Sequence, residues 1–302
     1  MRKLFTILLL FTSLTLIAGC AQKQEKEPQA ANTKPKVVVT FNAIKELTQA
    51  VAQDKVEIIT LIPDGSEPHD FQPTTKSMQQ LSRADVLIYN GVGMEPWVDT
   101  AVKAAANKKL LVVEAAKNID LIRLNDKDDI REHGAYDPHT WLSLTCAQAE
   151  VQNIAQALAQ ADAQNAGFYL QNAREYNVKL ASLLKKYQPL FAKAQHKDFV
   201  TGHAAFGYLC RDLGLAQTSV EDVFASGEPS AQRLAQLVEY CRTHSIKTIF
   251  VEEAVSPKIS ATLAKEVGAK TQTIYTIESS DDDKSYIDRM QENLELVYES
   301  MK

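Results

Sequence analysis

The sequence predicts an α/β protein made of two parallel-sheet lobes joined by a long rigid connecting helix. Short apolar runs recur with amphipathic stretches between them, the pattern of a parallel sheet covered on both faces. The alternation occurs twice, and a strand-free stretch from Thr145 to Ala194 separates the two occurrences.

In the first occurrence KVVVTFN (36–42), VEIITLI (56–62), ADVLIYN (84–90) and LLVVE (110–114) read as strands, near-continuously apolar as burial on both faces requires. Amphipathic stretches at roughly 43–54, 74–83 and 97–108 read as the covering helices. The second occurrence offers DFVTGH (198–203), TSVEDV (218–223), KTIFVEE (247–253) and TQTIYTI (271–277), with helices near 204–213, 230–245, 257–268 and 283–301. Between the two, Tyr169, Tyr176, Leu180, Leu183, Leu184, Tyr187, Leu190 and Phe191 form an apolar stripe at helical spacing. They predict a helix over 163–194, about 48 Å long at 1.5 Å per residue, with Asp162 or Asn165 as candidate caps. The expected lobes are 36–145 and 197–302, with 146–196 as the connecting helical region. In open parallel sheets a ligand sits beyond the carboxyl ends of the strands, so chemistry is sought just after them.

Ahead of the lobes stands MRKLFTILLLFTSLTLIAGC: two cations, a short apolar run and small residues at its end. This reads as a secretion signal over 1–19, too short and wrongly flanked for a membrane span. Ile17-Ala18-Gly19-Cys20 resembles the bacterial lipobox, which makes Cys20 the lipidated N-terminus of a protein anchored to the cell membrane and working outside the cytoplasm. Residues 20–35 are polar and rich in Gln, Lys and Ala, and read as a flexible tether.

Composition narrows the function. The 302 residues are 45% hydrophobic and 24% charged, an ordinary globular balance. Removing Arg2 and Lys3 of the leader from the net −5 leaves −7, an acidic body that argues against a nucleic-acid partner. Cys146, Cys210 and Cys241 match no metal spacing and are read as small buried hydrophobes, a Cys210–Cys241 bridge being the alternative.

Of six histidines, His69, His139 and His203 stand where a cleft-lining residue should, and Glu278 follows the final strand. Singly each signal is weak. Together they place two sites in each lobe, and three neutral imidazoles with one carboxylate suit tetrahedral Zn²⁺. His196 and His244, in polar stretches near helix ends, are read as solvated or hydrogen-bonded.

These residues lie in PDGSEPHDFQPT, YDPHTWLS and VTGHAAFGYL, which with NGVGMEPW, SGEPSAQRLAQLV and VEEAVSPK resemble the metal-binding lipoproteins of bacterial zinc and manganese ABC importers, the cluster A-I solute-binding family. The likeness runs from about residue 36 to 301. It implies two four-stranded lobes bridged by a long helix, and it implies His69, His139 and His203 as metal ligands. Manganese members carry an acid where His203 stands, so an imidazole there implies zinc. The fourth ligand is where this chain departs. The family usually shows an Asp directly after the last strand, whereas Glu278 comes one residue later with one methylene more; it is assigned the role, with water as the alternative. Zinc members often carry a long His-rich loop before Asp-Pro-His. Here the loop is short and holds His133, an auxiliary ligand or a plain loop histidine. Glu252 or Glu253 either orients an imidazole or is an acid at the start of a helix. Trp141 and Phe206 are expected as a dry wall.

The resemblance thus implies an extracytoplasmic protein that binds Zn²⁺ as cargo and delivers it to an ABC transporter permease. A surface adhesin or a manganese-binding importer component is the alternative. A zinc hydrolase is disfavoured by the lack of H-E-x-x-H or G-x-S-x-G, and no enzymatic activity is expected.

Overall fold

A computed structural model describes residues 34–302 apart from 125–129, 131–133, 226–228, 254–255 and 281. The leader, Cys20, the tether up to residue 33 and His133 lie outside the described residues. The described residues form eight strands in two four-stranded sheets. The first holds β1 (Lys36–Val39), β2 (Glu57–Thr60), β3 (Val86–Tyr89) and β4 (Leu111–Glu114), in the order β2-β1-β3-β4. The second repeats that order as β6-β5-β7-β8, with β5 (Asp198–Thr201), β6 (Ala216–Ser219), β7 (Thr248–Glu252) and β8 (Lys270–Ile274). Every pairing is parallel.

Helices α1 (Asn42–Ala52), α2 (Thr75–Ser82) and α3 (Val98–Ala105) accompany the first sheet. With the second come α6 (Gly207–Leu213), α7 (Ala231–Thr243), α8 (Pro257–Val267) and α9 (Tyr286–Ser300). The local chemistry of the starts is plain. Thr74 accepts from Ser77 N in a capping box, Ser230 accepts from Arg233 N, and Pro257 occupies the first helical position, where its missing N–H costs nothing.

The connecting region is two helices, the second opening close to the expected residue 163. α4 (Leu144–Ala161) starts on Ser143, whose hydroxyl accepts from Cys146 N. A short 3-10 turn over Ala163–Asn165 follows, and then α5 (Ala166–Lys193), about 42 Å long at 1.5 Å per residue. Asp162 ends α4 instead of capping α5: its Oδ2 accepts from Asn165 Nδ2 and from the Tyr169 hydroxyl, both at 2.7 Å. The expected apolar stripe is the buried one, running Tyr169, Ala173, Tyr176, Leu180, Leu183, Tyr187 and Phe191. α5 packs along α4, on α1 of the first lobe and on α6 and α9 of the second.

One strand is displaced from its expectation. β6 covers 216–219, not 218–223, because it is an edge strand whose Ala216, Gln217 and Thr218 are not fully buried and so carry no apolar signal. Cys146, Cys210 and Cys241 are buried and free, so the alternative bridge is not present. Among the described residues no helix is long and apolar enough to cross a membrane.

The larger apolar core is continuous from Val37, Ile44 and Leu87 through Leu158, Leu180 and Phe191 to Phe250, Ile274 and Leu294. A smaller cluster around Leu237, Ile249 and Leu263 serves the outer face of the second sheet. Leu180→Ala on α5 is therefore expected to destabilise the protein by about 2–5 kcal/mol. Because both lobes share that core, it should lower one common midpoint; urea unfolding followed by tryptophan fluorescence and by circular dichroism checks this, two separated transitions being the contrary result.

Candidate metal centre

His69, His139, His203 and Glu278 converge, and their ligand-type atoms all lie within 4.8 Å of one another. His139 Nε2 is 3.3 Å from His69 Nε2, 3.4 Å from His203 Nε2 and 3.9 Å from Glu278 Oε1. Four ligands about 2.0–2.1 Å from a tetrahedral centre stand roughly 3.3–3.4 Å apart, so the two spacings from His139 to the other imidazoles are those of a zinc-sized tetrahedron. His139 and His203 are fully buried, Glu278 is 3% exposed, and His69 is half-buried at the rim.

Each donor is reached from the carboxyl end of a strand. His69 lies in the loop after β2, His203 two residues past β5, and Glu278 four past β8. His139 follows the long connection after β4 and is held by a turn at the end of β3. There Asn90 Nδ2 donates to the Pro138 carbonyl at 2.9 Å and Asn90 Oδ1 accepts from the Thr140 hydroxyl. That turn is fixed in its own right. The buried Glu95 accepts from Thr40 Oγ1, Asn90 N and Gly91 N. Burial pushes its carboxyl up to about 7 against those three hydrogen bonds. Gly91 has φ +90°, and a Cβ there would stand 2.3 Å from the Glu114 side chain.

Carboxylates stand behind the imidazoles. Asp137 Oδ1 accepts from His139 N and meets His139 Nδ1, both at 2.9 Å, which leaves Nε2 to face the cluster. Glu252 Oε1 accepts from His203 N at 3.1 Å and lies 3.5 Å from His203 Nδ1. Glu67 accepts from His69 N at 3.3 Å. Thus Glu252 is the acid beside an imidazole, while Glu253 instead takes hydrogen bonds from Thr276 N and Oγ1. Asp137 and Glu67 escaped the sequence reading. The signal was present, because Glu67-Pro68-His69 and Asp137-Pro138-His139 share the pattern acid-Pro-His. Glu252 and Asp137 each lean against a glycine: a Cβ at Gly202 would stand 2.1 Å from Glu252 Oε2, and one at Gly207 2.8 Å from Asp137 Oδ2.

The wall of the site is partly as expected. Trp141 packs on His139 with ring centroids 5.2 Å apart and donates Nε1–H to the Thr276 carbonyl. Phe206 packs on Phe199 instead, and Phe224 takes the place beside His69 at 5.4 Å. His244 lies outside the cluster, stacked on Tyr240 and 3.3 Å from Asp198, as a hydrogen-bonded histidine should be.

The loop carrying Glu278 is strained. Ile277 has φ +62°, a left-handed conformation that a β-branched residue adopts at a cost of about 1–3 kcal/mol. First-lobe residues hold that loop: Gly65 N donates to Ser279 Oγ, Asp64 Oδ1 accepts from Ser280 N, and Asn42 reaches three successive carbonyls.

Without a cation the cluster carries protons. Burial and the charge of Glu67 push the Glu278 carboxyl well up. Burial opposes charge on His203, but Glu252, Glu278 and Glu67 outweigh it and raise the imidazole to about 9. Burial, then His203, holds His139 well below the ordinary range, so its Nε2 can accept from His203. A histidine raised in the fold stabilises it fully below about pH 6.5, and that contribution is lost as pH rises through about 9. The metal-free protein is therefore expected to lose on the order of 3 kcal/mol from this group across that window. Denaturant melts at pH 6.5, 7.5 and 9 on the parent and on Glu252→Gln check it: the variant should show a flatter decline, and parallel profiles would contradict the assignment.

Comparison with known proteins agrees with this geometry. Residues 37–300 match the family described as zinc-uptake complex component A, periplasmic. A putative metal-binding protein of Treponema pallidum is 45% identical over 270 residues, 87% of this chain and 85% of that protein. The high-affinity zinc uptake system protein ZnuA of Bacillus subtilis is 38% identical over 299 residues, 95% of this chain and 94% of its own. The crystal structure of a Zn(II)-bound variant of AdcAII of Streptococcus pneumoniae superposes with a TM-score of 0.82 at 32% identity, covering 89% of this chain and 99% of that one. The profile match over nearly the whole body, the shared fold and relatives well above 30% identity lead to one conclusion: this chain belongs to the zinc-uptake complex component A family, whose members are solute-binding proteins of zinc uptake systems.

Proposed function

We propose that this protein captures Zn²⁺ between its lobes outside the cytoplasmic membrane and hands it to an ABC transporter permease, anchored by acyl chains on Cys20. His69, His139, His203 and Glu278 are the ligands, with Asp137 and Glu252 orienting two of the imidazoles. The observation that carries this reading is the tetrahedral spacing of the imidazole nitrogens in a buried site. The family and the zinc-binding relatives support it. An all-nitrogen-and-oxygen set dominated by imidazole favours zinc over harder cations. A carboxylate in the fourth position closes the site and leaves no place for an activated water, which favours transport over hydrolysis.

Binding also exchanges protons for metal. His203, raised to about 9, holds a proton at pH 7 that Zn²⁺ must displace, and the Glu278 carboxyl, pushed up by burial, adds to the competition as pH falls, so loading should release about one proton or more per ion and affinity should fall with falling pH. Calorimetry in buffers of different ionisation enthalpy measures that number; a value near zero would contradict the protonated cluster.

Competition titration tests the ligands. Removing His69, His139 or His203 should weaken zinc binding more than about 100-fold, beyond what orienting residues cost. Glu278→Ala should fall between, at about 10- to 100-fold, because water can replace a carboxylate oxygen. His133→Ala should stay near the parent. A thousandfold excess of zinc over Kd should stabilise the parent by about 4 kcal/mol. Equal melting with and without zinc after thorough chelation would sink the reading. Separately, Cys20→Ser should leave an uncleaved or mislocalised precursor in cell fractionation, whereas a normally sized, membrane-bound product would exclude lipidation there.

A further inference from the structure

We infer that Asn42 is a positioning residue for the fourth zinc donor: it grips the turn that presents Glu278 and holds that carboxylate to the first lobe. The inference rests on Glu278 being a ligand, as proposed above, and goes beyond it.

Asn42 is the first residue of α1, and Phe41 before it offers no capping side chain. The opening N–H groups of a helix have no partner inside it. Here Asn42 N donates to the carbonyl of Glu278 itself at 3.2 Å. The side-chain amide continues the grip: Asn42 Nδ2 lies 3.5 Å from the Ile277 carbonyl and 3.3 Å from that of Ser279. One residue thus faces three consecutive carbonyls, those of Glu278 and of both its neighbours. The amide orientation is forced, because only NH₂ can face two carbonyl oxygens. Asn42 is buried, so no exposed surface role accounts for its polarity.

The turn needs such a grip. Ile277 stands in the left-handed region, and a strained residue persists only when its surroundings over-determine it. The hydrogen bonds of β8 end at Ile274, so the second lobe's sheet does not fix residues 277–279. By sequence Glu278 belongs to the second lobe; by hydrogen bonding its backbone belongs to the first. The Thr276 hydroxyl, shared with Glu253, stands 3.0 Å from Glu278 Oε2 at the carboxylate end. With Asn42 reduced to a methyl, the turn loses both side-chain bonds, and the carboxylate is no longer held near the imidazoles.

A double-mutant cycle on the full-length chain tests this, reading zinc affinity by competition with a chromophoric chelator. Asn42→Ala should weaken binding about 5- to 10-fold, at or below the low end of the range for residues that orient a ligand. Asn42→Asp should weaken it at least as much, since a carboxylate cannot donate to carbonyls. Asp suits the positive end of a helix, so this variant keeps α1 and gives the same reading if the alanine variant does not fold. In a Glu278→Ala background neither change should weaken zinc binding further. Unchanged affinity in both Asn42 variants, or an equal loss with and without Glu278, overturns the positioning role. A Glu278→Ala chain that binds zinc like the parent overturns the ligand assignment itself, and the inference with it; an effective Glu278→Ala beside a silent Asn42 overturns the inference alone.

Discussion

Three imidazoles and a carboxylate converge on one spot that water barely reaches, and most of the structure around the cleft follows from holding them there. Donor atoms within 4.8 Å of one another repel when all are deprotonated, and burial removes the screening that would relieve them. Each therefore needs an outside hold. Asp137 fixes His139, Glu252 faces His203, Glu67 takes the backbone of His69, and a ring of first-lobe donors restrains the Glu278 loop. Gly202 and Gly207 belong to the same scheme. They are glycines because carboxylate oxygens occupy the space their side chains would need.

The two sheets have the same strand order but use it differently. In the second, the strands on either side of the reversal in strand order lead to His203, two residues past β5, and to Glu252, the last residue of β7, so the site grows directly from the sheet, as expected of doubly wound folds. In the first, the residues directly after β1 and β3 are Thr40 and Asn90, which converge on Glu95. That carboxylate binds no cargo in the proposed scheme. It freezes the turn from which Asn90 holds the Pro138 carbonyl and so aims His139. One lobe supplies donors from its strand ends, the other supplies a bracket.

Legibility in the sequence followed local chemistry. The interior strands were plain because KVVV and TIFV are apolar at nearly every position, and the three histidines were plain because imidazole is rare and stood after strands. β6 was misplaced because an edge strand with polar residues has no apolar run, while Val220 and Val223 beyond it do. The long helix was legible from its stripe and its start near 163 from Asp162 and Asn165, although Asp162 works through Tyr169 rather than as a simple cap. Asp137 and Glu67 were hidden by being common acids. Asn42 was unreadable in principle: its partners lie 235–237 residues away along the chain. The departure at Glu278, by contrast, has a structural counterpart in the left-handed Ile277 just before it.

The continuous core also bears on how such a protein can change over generations. α4 packs on β3 and β4, and α4 and α5 pack on helices of both lobes within one continuous core, so neither lobe owns a complete interior. A lobe exchanged with that of a distant relative would arrive with half of a hydrophobic surface cut to another partner. Recombination between relatives is thus poorly placed to alter cargo preference. The open route runs through single substitutions at the cleft, where a changed donor disturbs a few carboxylates and leaves the shared interior intact.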